Sequence, residues 1–295
     1  MKNLIIPIFV FQIIFLKVLY AEKLRLTLEW LLNPHHAPLV IGISEGFFKE
    51  EGLDIQLIQA QGSLEGCIQV SVGASDLAIT NEAQWIIQAD KGLKLDPVLM
   101  LIAQPLEVFI SRLSIQELKG KKIGHSSSGM GFSACVLKNI LNNQKLTLDD
   151  IIPIHTKYSL VSALLTGQVD AIINAYRTYA VVDLKQHLQE FKIYPYEDLG
   201  IPLFAAQIIV ANPKVTLETK QALKRALIKA CSCLQRNPDH AWDVFRKFRT
   251  ELDIPANKSV WEQVVPLFKV EPLLLNSTRH KNLKDFLKKN QLIRN

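Results

Sequence analysis

Stretches of strand-like and helix-like hydrophobic periodicity follow one another from Lys23 onward. Residues 24–30 read Leu-Arg-Leu-Thr-Leu-Glu-Trp, which places apolar side chains at every second position and predicts a strand with one solvated face. Residues 37–50 are apolar at helical spacing, and Gly52 follows as a helix stop. The pattern continues with predicted strands over 53–58, 76–80, 98–103, 108–111, 122–125, 151–155, 169–174 and 207–211. Helices are predicted over 63–72, 160–165, 217–235, 239–248, 256–268 and 283–289, and two further helices end at residues 91 and 142. This alternation predicts an α/β protein whose sheets are largely parallel and covered by helices.

The chain contains an internal echo that predicts two lobes. In each copy a serine opens a helix, a glycine ends it and an aspartate opens a buried strand; the copies are Ser63, Gly73 and Asp76, and then Ser159, Gly167 and Asp170. The alternative is that the two copies match by coincidence, because many β-α-β units have a glycine at the end of the helix. We expect lobe one to hold residues 22–111 and 208–295, and lobe two residues 112–207. The chain would cross twice, near Ser111 and near residues 204–207, and two such strands form a hinge suited to closure around a ligand.

The first 21 residues differ in pattern from the rest. Lys2 precedes an apolar run over 4–16, and Lys17 and Ala21 precede the polar chain, which is typical of a secretory signal peptide. The run is short for a bilayer span, which takes about 20 residues. We expect export to the periplasm with removal of residues 1–21; an uncleaved anchor or a plain N-terminal helix are the alternatives.

Composition and charge narrow the class of function. The chain of 295 residues has a formal charge of +6, and removal of Lys2 and Lys17 leaves +4. The basic residues are scattered and form no stripe with interleaved aromatics, so no nucleic-acid partner is expected. The four cysteines form no CxxC pair or Cys/His cluster, and no hydrolase or zinc-enzyme motif is present. We therefore expect a monomer without metal, cofactor or catalysis.

Lobe one offers candidate ligand-binding residues directly after its first strand. Trp30, Asn33 and His36 lie there, together with His35, and ligands of open α/β sheets bind beyond the carboxyl ends of strands. An aromatic ring, an amide and imidazoles suit a flat polar heterocycle. The alternative is a loop in which Trp30 packs into the core and the histidines are solvated. Ser63 opens the next helix and is a further candidate.

Lobe two offers two more groups at carboxyl ends of strands. Ser126, Ser127, Ser128 and Gly129 form a Ser/Gly loop before a helix, where free backbone N–H groups suit a carbonyl, carboxylate or phosphate. Tyr176 and Arg177, followed by Tyr179, come after another strand and can supply stacking and a fixed charge. An ordinary loop and a surface helix start are the alternatives.

Several blocks of the sequence resemble one known family. They are Trp-Leu-Leu-Asn-Pro-His-His-Ala-Pro at 30–38, Glu-Gly-Phe-Phe-Lys-Glu-Glu-Gly-Leu-Asp at 45–54, Lys-Gly-Lys-Lys-Ile-Gly at 119–124 and Gly-Gln-Val-Asp-Ala at 167–171. The chain after Ala21 resembles the family that unites thiamine-pyrimidine precursor-binding proteins of ABC importers with thiamine pyrimidine synthases. Sulfonate-, taurine- and nitrate-binding proteins are more distant relatives.

The resemblance implies the type II periplasmic-binding-protein fold and an importer component that hands a small heterocyclic ligand to a permease and an ATPase. A pyrimidine synthase, or a sulfonate-, taurine- or nitrate-type binding protein, is the alternative. The synthases carry a Lys and a His where this chain has Thr80 and Gln84, and a Cys-rich motif where it has residues 202–207. The binding proteins carry acidic residues where this chain has Ala180, Ala205 and Ala206, which favours a related heterocycle as ligand.

Overall fold

Two five-stranded sheets form the framework of the protein. The computed structural model describes residues 21–60, 62–126, 131–157, 159–185, 187 and 190–294, apart from the side chain of Ser63. The strands are β1 (Glu22–Thr27), β2 (Leu53–Ile58), β3 (Leu77–Thr80), β4 (Asp96–Ile102), β5 (Glu107–Ser111), β6 (Lys122–His125), β7 (Ile152–His155), β8 (Ala171–Tyr176), β9 (Lys192–Pro195) and β10 (Gln207–Ala211). Residues 1–20 of the predicted signal segment lie outside the described residues.

Helices cover both faces of these sheets. They are α1 (Ala37–Ser44), α2 (Phe47–Glu50), α3 (Ser63–Val72), α4 (Glu82–Asp90), α5 (Gly131–Asn142), α6 (Leu160–Leu165), α7 (Arg177–Lys185), α8 (Leu217–Arg236), α9 (Pro238–Phe248), α10 (Pro255–Val264) and α11 (Thr278–Lys289). The single helix predicted over 37–50 is wrong, because Gly46 adopts φ 79° and separates α1 from α2. None of the described helices combines the length and apolarity needed to cross a bilayer.

The two sheets have the same layout. Their strand orders are β2-β1-β3-β10-β4 and β7-β6-β8-β5-β9. In each sheet four strands are parallel, and one strand, β10 or β5, is antiparallel to both of its neighbours. Each antiparallel strand enters its sheet directly from the other half of the molecule, which fixes its opposite direction. The α/β class with largely parallel sheets is thus confirmed; the short strand β9 was not predicted.

The internal echo corresponds to equivalent positions in the two sheets. Gly73 and Gly167 both end their helices in the left-handed conformation, with φ 77° and 73°. The carboxylate of Asp76 accepts the backbone N–H of Arg25 at 2.8 Å, and that of Asp170 accepts the N–H of Lys122 at 2.8 Å. In both sheets the aspartate that opens the third strand of the β-α-β unit therefore ties that strand to the first.

The sheet pairing moves one predicted boundary. β5 pairs with β8 and β9, so residues 107–111 lie in the second sheet and not, as predicted, in lobe one. The first crossing is the segment 103–106, and the return crossing is 202–206, which leads into β10 of the first sheet. The boundary was misplaced because hydrophobic periodicity identifies β5 as a strand without showing its partners. We call the first sheet with its helices lobe one and the second lobe two.

Three apolar clusters stabilise this arrangement. One lies between the first sheet and α1, α8 and α9, and another fills lobe two beneath α6 and α7. The third joins α3, α4 and α11 to α5 and the second sheet, so it crosses from one lobe to the other. The third cluster therefore packs the hinge on the α11 side, while Leu106 and Ala206 of the two crossings belong to the first cluster, on the α1 side.

Candidate functional site

The carboxyl ends of β1 and β8 bring the two lobes into direct contact through His35. Its Nε2 lies 2.8 Å from the hydroxyl oxygen of Thr178, and its ring centroid lies 5.4 Å from that of Tyr176 and 5.2 Å from that of Tyr179. We call residues 29–36, residues 174–179 and Gln207 together the inter-lobe junction. It includes five of the predicted site residues: Trp30, Asn33 and His36 from lobe one, and Tyr176 and Arg177 from lobe two.

The hydrogen bonds of His35 define its proton position. Burial lowers the pKa of His35 to about 3, so the ring is neutral at pH 7. Asn33 Oδ1 lies 3.1 Å from Nδ1 and can only accept, so Nδ1 carries the proton and Nε2 accepts from the Thr178 hydroxyl. The alternative of a loop with solvated histidines is wrong, since His35 is 1% exposed and His36 is 0% exposed.

His36 forms a second chain of hydrogen bonds on the α1 side. The backbone N–H of Asn33 donates to His36 Nδ1 at 3.2 Å, so the ring proton is on Nε2, which donates to Glu29 Oε2 at 2.9 Å. Gln207 Nε2 donates to the other oxygen, Glu29 Oε1, at 2.8 Å. Burial acts to raise the pKa of Glu29, but attraction to His36 and hydrogen bonds from His36, its own backbone and Gln207 lower it to about 2. Glu29 is therefore a carboxylate that links β1 to β10.

Asn33 is held by the loop that carries it. Its Oδ1 accepts the backbone N–H of His35 at 2.8 Å as the cap of a 3-10 turn over Pro34–His36, and its Nδ2 donates to the carbonyl of Leu31 at 2.8 Å. The amide thus positions both histidines. Trp30 is half-buried in the same loop.

Arg177 is engaged with the hinge. Its Nη2 donates to Glu197 Oε1 at 2.8 Å and to the carbonyl of Pro105, and its backbone N–H donates to Leu106 O at 2.8 Å. Glu197 therefore neutralises the guanidinium charge, and the hydrogen bonds to Pro105 and Leu106 hold Arg177 to the first crossing. The side chain lies at the predicted site, but its charge is paired within the protein.

β8 is irregular where it reaches the junction. Between the pairs Val108–Ala175 and Ile110–Ile172, two residues of β8 oppose one residue of β5, which is a β-bulge. Asn174 in this bulge adopts φ 68°, and its Oδ1 accepts a 3.4 Å hydrogen bond from the hydroxyl of buried Tyr196. Bulges and left-handed non-glycine residues concentrate beside functional sites, where they redirect a side chain.

Glu107 opens β5 at the hinge and is 2% exposed. Burial raises its pKa to about 7, and the carboxylate of Glu197 adds to that effect, although backbone N–H groups and Arg177 oppose it. The backbone N–H of Leu106 donates to Glu107 Oε2 at 3.0 Å. The group therefore exchanges its proton close to neutral pH.

The Ser/Gly loop is only partly described. Ser126 is half-buried, and its carbonyl lies 3.2 Å from His155 Nε2, which stacks on His125 with ring centroids 5.4 Å apart. Ser127, Ser128 and Gly129 lie outside the described residues, as does the side chain of Ser63. Their predicted roles in ligand binding stay predictions.

A second buried network lies on the α11 side of the hinge. Glu82, which is 0% exposed, accepts hydrogen bonds from His280 Nδ1 at 2.9 Å, Arg279 Nη2 at 2.8 Å and the backbone N–H of Ala205 at 2.9 Å. Arg279 Nη1 also donates to the carbonyl of Ala103 at 2.7 Å. This network ties both crossings to the C-terminal helix.

Unpaired buried polar atoms occur at the junction and beside it. Among the described residues they are Gln207 Oε1 and Arg177 Nε in the junction, Glu197 Oε2 next to Arg177, and Thr80 Oγ1 at the end of β3. Buried polar groups in proteins are nearly always hydrogen-bonded, and exceptions mark functional groups or unassigned partners. The described residues hold no cluster of three or more potential metal ligands, and surface depressions occur between α6 and α7 and between α2 and α8, away from these atoms.

Comparison with known proteins places this geometry in context. A family model described as NMT1/THI5 like matches residues 33–241. A Haemophilus influenzae protein named "Putative thiamine biosynthesis protein" is 33% identical over 279 residues, which cover 92% of this chain and 88% of that protein. The formylaminopyrimidine-binding protein of Halalkalibacterium halodurans is 22% identical over 250 residues, covering 82% and 75%.

Enzymes and solved structures are also among the similar proteins. The 4-amino-5-hydroxymethyl-2-methylpyrimidine phosphate synthase of Candida albicans is 22% identical over 267 residues, covering 84% of this chain and 78% of that enzyme. The periplasmic aliphatic sulphonate binding protein SsuA of Escherichia coli superposes with a TM-score of 0.70 at 17% identity, covering 92% of this chain and 88% of that one. The structural likeness confirms the predicted periplasmic-binding-protein fold.

Sequence reasoning missed three residues of the junction. Glu29, Thr178 and Gln207 were not predicted, although each contacts a histidine or its partner there. Glu29 stands beside Trp30 in the same loop, and its acidic charge was the one available signal. Gln207 contacts Glu29 from 178 positions along the chain, so no local pattern connects the two.

Proposed function

The chain belongs to the NMT1/THI5-like family, and on that premise we propose that it is a solute-binding protein whose two lobes close around a small amino-substituted heterocycle of the thiamine-pyrimidine kind. The two-lobed fold and the relative that binds formylaminopyrimidine support this function. The observation that carries it is the donor and acceptor pattern of the junction.

That pattern favours a ligand that donates hydrogen bonds. Glu29 is a carboxylate, and Gln207 Oε1 and Glu197 Oε2 are acceptors without a donor among the described residues. The guanidinium charge of Arg177 is already paired with Glu197. Arg177 Nε is also unpaired, but a sulfonate or nitrate needs several donors or an uncommitted positive charge, whereas an aminopyrimidine offers N–H groups to the two acceptors and a flat ring that stacks on Trp30 or Tyr176.

The contacts of His35 supply the closing surface. Because the ring of His35 touches Tyr176, Thr178 and Tyr179, the ligand enters when this contact opens and is enclosed when it re-forms. Neutral His35 avoids placing a second charge beside Glu29. The lobes thus approach each other through neutral, aromatic groups while the polar atoms remain for the ligand.

The cellular setting is part of the same proposal. The N-terminal segment with Lys2, its apolar run and Ala21 supports export to the periplasm, and a monomer would deliver the ligand to a permease driven by an ATPase. Cell fractionation with N-terminal sequencing tests this: we expect mature chains that begin at Glu22 in the periplasmic fraction, and full-length chains in the cytoplasm would contradict it.

A thermal-shift panel tests the ligand class. The panel holds formylaminopyrimidine, 4-amino-5-hydroxymethyl-2-methylpyrimidine, thiamine, an alkanesulfonate and nitrate. A ligand at about 100 times its Kd adds about 2.7 kcal/mol to stability, so the melting temperature should rise with an aminopyrimidine and not with the anions. A shift with the sulfonate alone would move the protein to the sulfonate-binding branch.

A pyrimidine synthase is the second candidate function, because such enzymes are among the relatives. Thr80 and Gln84 stand where the synthases are expected to carry Lys and His, and the return crossing 202–206 contains no cysteine. Incubation with pyridoxal phosphate, iron and oxygen tests this function. We expect the mass of the chain to stay constant; a released pyrimidine with the loss of one histidine would establish the enzyme.

A further inference from the structure

The α1-side hydrogen bonds form a chain whose direction is fixed from one end to the other. The backbone N–H of Asn33 can only donate, so His36 accepts at Nδ1 and donates from Nε2 to Glu29. Glu29 is ionised and can only accept, so the amide of Gln207 must turn its Nε2 toward Glu29. The amide oxygen of Gln207 is therefore directed away from Glu29.

That oxygen has no hydrogen-bond partner within the described ranges. Gln207 is 0% exposed, and no group of the described residues donates to its Oε1. Rotating the amide by half a turn would satisfy nothing, because it would place Oε1 against the Glu29 carboxylate. A buried amide oxygen in this state can accept a hydrogen bond from a ligand.

Gln207 also lies next to the hinge. It is the first residue of β10, directly after the return crossing 202–206, and it contacts Glu29, whose side chain is 10% exposed at the junction. A ligand that reaches Glu29 from between the lobes therefore also reaches Gln207. The other end of the chain, the Asn33 turn, carries His35 and its contact with lobe two.

We propose that Gln207 is the specificity-determining residue of the site and that its Oε1 accepts a hydrogen bond from the exocyclic amino group of the ligand. This inference rests on the proposed function and deepens it. An oxo group at the same ring position would present an oxygen to the Gln207 oxygen, so the site should reject 4-oxo heterocycles in favour of 4-amino ones. Glu29 and His36 act as positioning residues that hold the amide in this orientation.

A pair of probes tests the proposal on the full chain. Calorimetric titration compares 4-amino-5-hydroxymethyl-2-methylpyrimidine with its 4-oxo counterpart on the wild type, on Gln207→Met and on Gln235→Met. Gln235 is the control, because it is an exposed glutamine on α8 whose amide donates to Phe268 O at 2.9 Å, and it takes no part in the junction. We expect the wild type and Gln235→Met to prefer the amino probe by at least about tenfold, and Gln207→Met to bind the two probes within about threefold.

A second variant leaves Gln207 in place. In Glu29→Gln the new amide can donate to Gln207 Oε1, which lets the Gln207 amide turn its Nε2 toward the ligand. We expect preference to shift toward the 4-oxo probe, a change that lost stability alone would not produce.

The outcomes separate the two proposals. If the wild type prefers the amino probe and both Gln207→Met and Glu29→Gln keep that preference, the Gln207 inference is overturned and the proposed function stands. If the wild type binds neither probe, both are overturned.

Discussion

The two sides of the hinge each contain a buried glutamate, and the two networks end differently. On the α11 side, Glu82 is bonded to His280, Arg279 and the backbone N–H of Ala205, and Arg279 continues to Ala103. On the α1 side, Glu29 is bonded to His36 and Gln207, and the series of hydrogen bonds stops at an amide oxygen that has no donor in the described part of the chain. One network is complete within the protein, and the other leaves an atom unpaired.

The difference separates a structural anchor from the proposed binding site. A buried charge is tolerated when every partner is in place, which is the case for Glu82, whose pKa is lowered because hydrogen bonds and the charge of Arg279 outweigh burial. An unpaired buried acceptor costs free energy and persists where a ligand makes use of it. The Glu82 network holds the two crossings of the hinge, and the proposed site at Glu29 and Gln207 lies where the lobes meet.

Replacing Glu82 tests the anchor and should give the largest effect. Glu82→Ala leaves Arg279 and His280 next to each other without their carboxylate, and removal of one partner of a buried charge pair typically costs about 3–5 kcal/mol. Urea unfolding measures this loss. Asp243→Ala, which removes an exposed ion pair with Arg246, is the control and should leave the midpoint nearly unchanged. Equal midpoints for the two variants would show that the Glu82 network does not stabilise the hinge.

Glu107, which lies at the hinge, should make the free energy of unfolding depend on pH. Its pKa is raised from 4.5 in the unfolded chain to about 7 by burial, so the folded state binds the extra proton and wild-type stability falls as pH rises from 4.5 to 7. Glu107→Gln mimics the protonated form and should abolish that fall, gaining up to about 3 kcal/mol over wild type above pH 7 compared with pH 4.5. Urea unfolding at pH 5 and pH 8 checks the sign. A gain that is equal at both pH values would mean that Glu107 titrates as it does in the unfolded chain.

Asn174 should show the smallest effect on stability. Asn174→Gly relieves a left-handed backbone at φ 68° and removes an amide at the junction, so we expect a stability change within about 1 kcal/mol together with weaker ligand binding. Lys145→Gly is the control, since Lys145 has φ 60° and lies between α5 and β7, outside the junction. It should change stability similarly and leave affinity intact. Unchanged affinity in Asn174→Gly would show that the bulge serves only the sheet.

The sequence predicted the elements better than their assembly. Helix and strand periodicity located nearly every element, because apolar spacing reports which face is buried. Periodicity carries no information on strand partners, so β5 was assigned to the wrong lobe, and β9 escaped because two of its four residues are exposed. The α1–α2 break needed the left-handed Gly46, whose conformation a helical pattern does not reveal.

The site was predicted in part for the same reason. Trp30, Asn33 and His36 share one loop with an informative local pattern, so they could be found together. Their roles could not, since Asn33 caps a turn and His36 is buried against Glu29. Arg177 was expected to offer a charge, but its partner Glu197 comes 20 positions later and is recognisable only in the folded chain.

Calorimetric titration of the full chain with 4-amino-5-hydroxymethyl-2-methylpyrimidine and with an alkanesulfonate tests the central claim most directly. Acceptors at Glu29, Gln207 and Glu197 with a paired Arg177 predict that the aminopyrimidine binds one molecule per chain and is recovered chemically unchanged. They also predict no heat of binding with the sulfonate. Saturable binding of the sulfonate without binding of the aminopyrimidine would contradict the account.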